Sequence, residues 1–124
     1  MVATPIGNLD DTTPRAVATL NLVDAVFAED TRVSAKLLFH FKIEKPLYRY
    51  DEHSHESASK KIESLLDEGK SIALMTDAGT PGIADPGSRL VASLIKKDPN
   101  TMIVPIPGAS AVIALLSVSG ESAE

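Results

Sequence analysis

The residues best suited to chemistry lie in one eleven-residue segment, Asp77 to Gly87, which reads DAGTPGIADPG. Its glycines permit tight turns and close approach of a ligand to the backbone, and its prolines reduce the entropy lost on ordering. These residues are Gly79, Pro81, Gly82, Pro86 and Gly87. Asp77 and Asp85 supply carboxylates that accept hydrogen bonds from ribose hydroxyls or an ammonium group. Because a plain strand-to-helix connection needs fewer residues, we predict a ligand-binding turn, with an ordinary capped turn as the alternative.

Two further turns combine small and polar residues. Thr4-Pro5-Ile6-Gly7-Asn8 offers the Asn8 amide, and Pro107-Gly108-Ala109-Ser110-Ala111 places small residues at the start of a predicted helix. Backbone N–H groups at a helix start can hold a carboxylate or another polar edge of a ligand. Close packing of that helix on the sheet explains the same small residues equally well.

Several other kinds of site are not indicated. The chain has no cysteine, which excludes a disulfide framework, a thiolate nucleophile and a Cys-based zinc site. His53 and His55 with Glu52 and Glu56 form only a weak metal-ligand pattern, and solvated side chains are the better interpretation, so we predict no metal site. Walker A and GxGxxG motifs are absent, and Ser110 lacks the G-x-S-x-G setting of a hydrolase nucleophile.

Apolar runs of strand length alternate with helical patterns along the chain. The predicted strands cover residues 1–4, 25–28, 47–50, 71–76 and 101–106. One helix begins at the Thr13-Pro14 cap, and the others cover residues 31–41, 56–68, 86–97 and 109–118. This order predicts an α/β domain with a mainly parallel five-stranded sheet flanked by helices.

Each unusual turn follows a predicted strand. The second strand leads into Glu29-Asp30-Thr31-Arg32, and the third leads into Asp51-Glu52-His53-Ser54-His55. Ligands of open α/β sheets bind beyond the carboxyl ends of the strands. We therefore expect all these turns to meet at one rim of the sheet.

Composition limits the possible partners. The net charge of -5 has the wrong sign for a stand-alone nucleic-acid binder, whose affinity depends on neutralising phosphates. The start lacks the pattern of a secretion signal, and no apolar run is long enough to span a membrane. We therefore expect a cytoplasmic protein without membrane contact. The first predicted strand lacks its beginning and the chain stops just after an apolar helix, so we also expect a fragment of a longer protein.

Five segments resemble one known family in their order and spacing. They are VATPIGNLDDTTPRA, AEDTRVSAKLL, YDEHSHE, TDAGTPGIADPGSRLV and VPIPGASAVIALLSVSG. On these motifs the chain resembles the ribosomal small-subunit RNA 2'-O-ribose cytidine methyltransferase I family, within the tetrapyrrole methylase superfamily of class III methyltransferases. The resemblance implies S-adenosylmethionine as cofactor, ribosomal RNA or the small ribosomal subunit as partner, and a homodimer. It also implies two α/β domains, with residues 1–124 as the N-terminal domain and the C-terminal domain outside this chain.

The resemblance also implies roles for individual residues. Methyl transfer from a sulfonium requires alignment above all, and a weak ribose nucleophile benefits from a proton acceptor, for which Asp30, His53 and Asp77 are the candidates. Glu29, Thr31 and Arg32 are expected to contact the substrate. The expected cofactor-binding residues are Thr4, Pro5, Gly7, Asn8, Asp77, Ala78, Gly79, Thr80, Pro81, Gly82, Asp85, Pro86, Gly87, Pro107, Gly108, Ser110 and Ala111.

Two alternatives remain at this stage. The first is a methyltransferase acting on ring carbons of a tetrapyrrole, since that superfamily shares the fold. Its cobalamin-pathway members typically carry a GxGxGD-type first loop, whereas this chain reads TPIGNLDD, which favours the RNA branch. The second is a non-catalytic ligand-binding or assembly domain.

Overall fold

The computed structural model describes residues 1–122 and shows a small parallel sheet with helices on both faces. The helices are α1 (Pro14–Leu22), α2 (Thr31–His40), α3 (His55–Asp67), α4 (Gly87–Lys97) and α5 (Ala111–Ser119). The strands are β1 (Ala25–Ala28), β2 (Leu47–Arg49) and β3 (Ile72–Met75). A single 3-10 turn, Leu9–Asp11, precedes α1.

The sheet has the order β2-β1-β3, and both pairings are parallel. Central Val26 lies opposite Leu47 of β2 and Ala73 of β3. All four residues of β1 are buried, as expected for a parallel strand covered on both faces. The predicted α/β class, the parallel sheet and the positions of the helices are confirmed.

The prediction of five strands was wrong, because the sheet formed within residues 1–122 has three. Residues 1–4 lie beside β3, and residues 101–106 lie beside them, but Val2 and Ile106 form only an isolated parallel bridge. The Ile106 N–H donates to the Met1 carbonyl and the Ile106 carbonyl accepts the Ala3 N–H, and no second bridge joins the two segments in the described residues. The two outer segments therefore extend the sheet without forming regular strands.

The helix starts follow from local sequence. The Thr13 hydroxyl accepts a hydrogen bond from the Ala16 N–H at 3.0 Å, and Pro14 occupies the first helical position. At the start of α2, the Asp30 carboxylate accepts the Arg32 N–H at 2.9 Å. Both caps satisfy N–H groups that have no partner inside the helix.

Two apolar clusters cover the two faces of the sheet. On the α1/α2 face, Leu20, Leu37 and Met75 belong to one buried cluster. On the α3/α4 face, Ile62 and Leu74 belong to the other. Successive residues of β3, Leu74 and Met75, thus point to opposite faces, as the twofold repeat of a strand requires.

Helix α5 differs from the other helices because none of its residues is buried. Val112 and Leu115 are each 68% exposed, and Val118 is 81% exposed. A helix that is apolar on every side is normally enclosed by other protein.

In the described part of the chain, no helix is long and apolar enough to cross a membrane.

Candidate functional site

Four turns meet beyond the carboxyl ends of the strands and form what we call the rim. Thr4 and Gly79 exchange backbone hydrogen bonds of 3.0 Å in both directions. The Ala109 carbonyl oxygen lies 3.8 Å from the place where a Cβ of Gly79 would stand. The Asp30 N–H donates to Asp77 Oδ1 at 3.1 Å. The turns after residues 1–4, β1, β3 and residues 101–106 are thus brought together.

The carboxylate of Asp85 organises the long turn after β3. Its Oδ2 accepts the Gly82 N–H at 2.7 Å, and its Oδ1 accepts the Gly87 N–H at 2.8 Å. A Cβ on Gly87 would stand 2.7 Å from Asp85 Oδ1 and 3.1 Å from Leu74 Cδ2, so no larger residue fits. Asp85 was expected to contact a ligand, whereas both of its carboxylate oxygens accept backbone N–H groups of the turn.

Other small residues at the rim are required by the backbone conformation or by close packing. Gly79 has a φ of +79°, which side-chain-bearing residues rarely adopt. A Cβ on Gly108 would lie 2.9 Å from the Cβ of Ala3, so this glycine allows close packing on the first segment. The Thr4 hydroxyl is buried and donates to the Thr76 carbonyl at 3.3 Å. Thr4 and Gly108 therefore hold the turns together.

Tyr50 links the turn after β2 to the turn after β3, which the sequence analysis did not predict. Its side chain is buried, and its hydroxyl donates to the Pro86 carbonyl at 3.0 Å. His55 Nδ1 lies 2.5 Å from the Tyr50 hydroxyl oxygen. His53 is exposed in the preceding turn. The only sequence signal for the link is a tyrosine at the end of a predicted strand.

The rim carries a concentration of negative charge. Burial raises the pKa of Glu29, and the neighbouring carboxylates of Asp77, Asp85, Asp51 and Asp30 raise it further. In contrast, hydrogen bonds from Arg32 lower the pKa of Asp30. Asp30 is thus engaged with Arg32, while exposed Asp77 keeps its Oδ2 without a hydrogen bond among residues 1–122. This field favours a bound cation.

The arginines around the rim are paired with carboxylates. The pairs are Arg32–Asp30 at 3.1 Å, Arg49–Asp51 at 2.6 Å and Arg89–Glu52 at 3.1 Å. Their guanidinium groups are well exposed, so the pairs add little stability. They do reduce the positive charge that the rim can offer to a phosphate.

The predicted site residues divide by exposure. Those that are exposed are Gly7, Asn8, Arg32, His53, Asp77, Ala78, Thr80, Pro107, Gly108 and Ala111. Those that are half-buried are Pro5, Glu29, Asp30, Thr31, Gly82, Asp85 and Ser110. Those that are buried are Thr4, Gly79, Pro81, Pro86 and Gly87. The buried group determines the shape of the turns, and the exposed group is accessible to a ligand.

Two cavities differ in their relation to the rim. A cavity of about 290 Å³ lies between the first turn and α2, and Asn8, Ser34, Lys36 and Asp77 are among its lining residues. A larger one of about 510 Å³ includes Met1, Ile72 and Met102, and none of the predicted site residues lines it. It adjoins the amino end of β3, whereas ligands of such sheets bind at the carboxyl ends, so the rim is the candidate site.

Metal ligands are not grouped in the described residues. No set of three or more His, Asp or Glu side chains within residues 1–122 is placed to hold a metal ion. The rim does offer carboxylates, backbone N–H groups and hydroxyls to a ligand.

Comparison with known proteins gives a consistent result. The family model of tetrapyrrole (corrin/porphyrin) methylases matches residues 1–124. Proteins named ribosomal RNA small subunit methyltransferase I are 52% identical in Synechocystis and 49% identical in Bacillus subtilis, each over 97% of this chain. The chain spans 42% and 40% of those relatives, respectively.

A solved structure supports the fold alone. The crystal structure of a cobalamin synthesis related protein (CobF) from Corynebacterium diphtheriae aligns with a TM-score of 0.68 at 20% identity. The alignment covers 96% of this chain and 56% of that protein.

Proposed function

Because the chain belongs to the tetrapyrrole methylase family, we propose that it forms the N-terminal, cofactor-binding domain of an S-adenosylmethionine-dependent methyltransferase. Its substrate is the ribose 2'-hydroxyl of a cytidine in small-subunit ribosomal RNA, in a cytoplasmic protein that acts as a homodimer. The observation that carries the proposal is the meeting of the Thr4, Asp77 and Pro107 turns at one rim. The names of relatives that are 52% and 49% identical to this chain over 120 residues support the RNA substrate.

The rim residues fit this cofactor. S-adenosylmethionine supplies, when bound, an electrophilic methyl group on a positively charged sulfur. The carboxylates that raise the pKa of Glu29 create a negative field suited to a sulfonium and an ammonium. Ser110 caps α5 by accepting the Ile113 N–H at 3.4 Å, which leaves the preceding helix N–H groups for a carboxylate.

Asp77 is the residue that we assign to proton transfer. Its Oδ1 is fixed by the Asp30 N–H, so its Oδ2 is left to accept the proton of the attacking ribose hydroxyl. Asp30 is less suitable because Arg32 lowers its pKa. The buried framework of Thr4, Gly79 and Pro86 holds these groups in place, which is the main requirement of methyl transfer.

A second domain is part of the proposal. The chain spans about two-fifths of the relatives that it matches, and the rim is open on the side of exposed Ala78, Thr80 and Pro107. The apolar surface of α5 also requires cover. We expect a dye that reports exposed apolar surface to bind the 124-residue chain strongly and the complete protein weakly.

The activity is tested with protein expressed from the complete reading frame. Labelled methyl groups should pass from S-adenosylmethionine to small ribosomal subunits and not to uroporphyrinogen. Labelling of the tetrapyrrole alone would identify the other branch of the family. Calorimetric binding of S-adenosylhomocysteine without transfer to either substrate would indicate a non-catalytic domain.

Variants of the complete protein test the residue assignments. Asp77→Asn should lower turnover by about 100-fold or more if it removes the proton acceptor. Gly79→Val should abolish cofactor binding because a β-branched residue does not adopt the positive φ. Asp67→Asn, at an exposed carboxylate of α3, is the control and should be fully active. Normal turnover of Asp77→Asn would remove this residue from the mechanism.

A further inference from the structure

The cavity between the first turn and α2 contains an unexplained polar group. Ser34 is 1% exposed, and its hydroxyl has no hydrogen-bond partner within the described part of the chain. A buried hydroxyl without a partner costs about 1–3 kcal/mol, so native proteins rarely retain one without a reason. Ser34 is among the residues that line the cavity and its hydroxyl oxygen is covered, so a ligand that displaces the covering side chains would satisfy it.

The cavity also has an apolar wall and a free cation. Leu37 and Met75 are buried and line it, next to partly exposed Val33. Lys36 lines it as well, and among residues 1–122 its ammonium forms no ion pair, unlike Arg32, Arg49 and Arg89 of the rim. The volume of about 290 Å³ lies near the lower end of small-molecule sites, which begin at about 300 Å³.

These features match the parts of one nucleotide. An apolar wall accepts the face of a base, a hydroxyl bonds to its polar edge, and an ammonium pairs with a phosphate. Asp77 also lines the cavity, so a ribose between base and phosphate would lie beside the proposed proton acceptor. We propose that this cavity receives the single unstacked nucleotide of the RNA whose ribose is methylated, an inference that rests on the proposed function.

The adenosine of the cofactor is the other nucleoside that could occupy this space, because five expected cofactor-binding residues also line the cavity: Thr4, Pro5, Gly7, Asn8 and Asp77. Two observations favour the RNA. The cavity lies on the α1/α2 face with Met75 and Leu37, whereas the Asp85-held turn contacts Leu74 on the α3/α4 face. In addition, Lys36 repels a sulfonium and attracts a phosphate.

The test uses steady-state methylation by the complete protein. Ser34→Ala and Lys36→Gln should each raise the KM for RNA by about 3- to 10-fold and leave the KM for S-adenosylmethionine unchanged. Lys36→Gln should also make the plot of log K for RNA binding against log salt concentration less steep, by slightly less than one unit of slope, as expected for the loss of one phosphate contact. Lys96→Gln, on the last turn of α4, is the matched control and should behave as wild type.

Stability separates a binding role from a structural role. Because the Ser34 hydroxyl has no partner to lose, Ser34→Ala should have the same midpoint of urea unfolding as the wild type, or a higher one. A lowered midpoint together with lost activity would instead show that Ser34 supports the fold, which contradicts the proposal.

The remaining outcomes are distinguishable. An unchanged KM for RNA in both variants overturns the nucleotide site while the proposed function stands. A raised KM for S-adenosylmethionine would assign the cavity to the cofactor and also overturn it. No methylation of RNA by the wild-type protein would overturn the proposed function and this inference together.

Discussion

Replacement of Asp85 by alanine provides a sharp test of how the long turn is built. The substitution removes the acceptor of the Gly82 and Gly87 N–H groups, whose bonds measure 2.7 and 2.8 Å. A hydrogen bond to an ionised group contributes about 1.5–3 kcal/mol, and half-burial lets water replace part of it. We therefore expect the two hydrogen bonds together to contribute about 2–4 kcal/mol to the free energy of unfolding, which is about 5–15 kcal/mol for a typical domain.

The assay is urea unfolding of the 124-residue chain followed by circular dichroism. With an m-value of about 2 kcal/mol/M, Asp85→Ala should lower the unfolding midpoint by about 1–2 M. Asp98→Ala removes one exposed acceptor, which binds the Asn100 N–H at 2.9 Å, and serves as the control with a loss below about 1 kcal/mol. A midpoint of Asp85→Ala equal to that of the control would refute the role of Asp85 as an organiser of the turn. In that case, loss of S-adenosylhomocysteine binding alone would return Asp85 to the ligand-binding groups.

Three further predictions concern the rim. Glu29→Gln should raise the unfolding midpoint at pH 7, because a folded-state pKa above the ordinary 4.5 makes the charged form costly; the gain should vanish below about pH 4. Hydrogen bonds from the backbone and side chain of Ser54 lower the pKa of Asp51 to about 2. The wild type should therefore be more stable than Asp51→Ala above pH 3.8, and this difference in stability should disappear as the pH falls towards 2. A pH-independent difference would contradict this cause. Tyr50→Phe should cost about 0.5–1.5 kcal/mol in urea unfolding, because the Pro86 carbonyl loses one donor but keeps the Arg89 and Leu90 N–H groups, and an unchanged midpoint would show that the hydroxyl bond contributes nothing.

The fold was predictable where local patterns determine the structure. The Thr13-Pro14 cap and the apolar stripes give the helices, and the fully apolar run of β1 gives a strand buried on both faces. Two outer strands were predicted that do not form, because the apolar content of a segment does not show which of its backbone groups form hydrogen bonds. Residues 101–106 meet residues 1–4 through the single Val2–Ile106 bridge, which is not a regular ladder.

The meeting of the turns at one rim was predictable, but the contacts of the individual side chains were not. Topology alone puts Asp77, Gly79 and Ala109 at one rim, since parallel strands present their carboxyl ends together. Whether a carboxylate binds the backbone or faces solvent depends on the path of the turn, so Asp85 and Asp77 are indistinguishable in the sequence. The same holds for His53 and His55, which differ only in which one reaches Tyr50.

The charge distribution assigns different tasks to different parts of the proposed enzyme. Around the rim the arginines are neutralised by carboxylates, and Glu29 lies within a field of four further acidic side chains. Such a surface attracts a sulfonium and repels the phosphates of an RNA strand. Lys36 alone would add one phosphate contact, too little for tight binding of RNA. If the chain methylates RNA, residues 1–122 hold the cofactor and the target nucleotide, and most of the affinity for the RNA backbone must come from protein surface outside them.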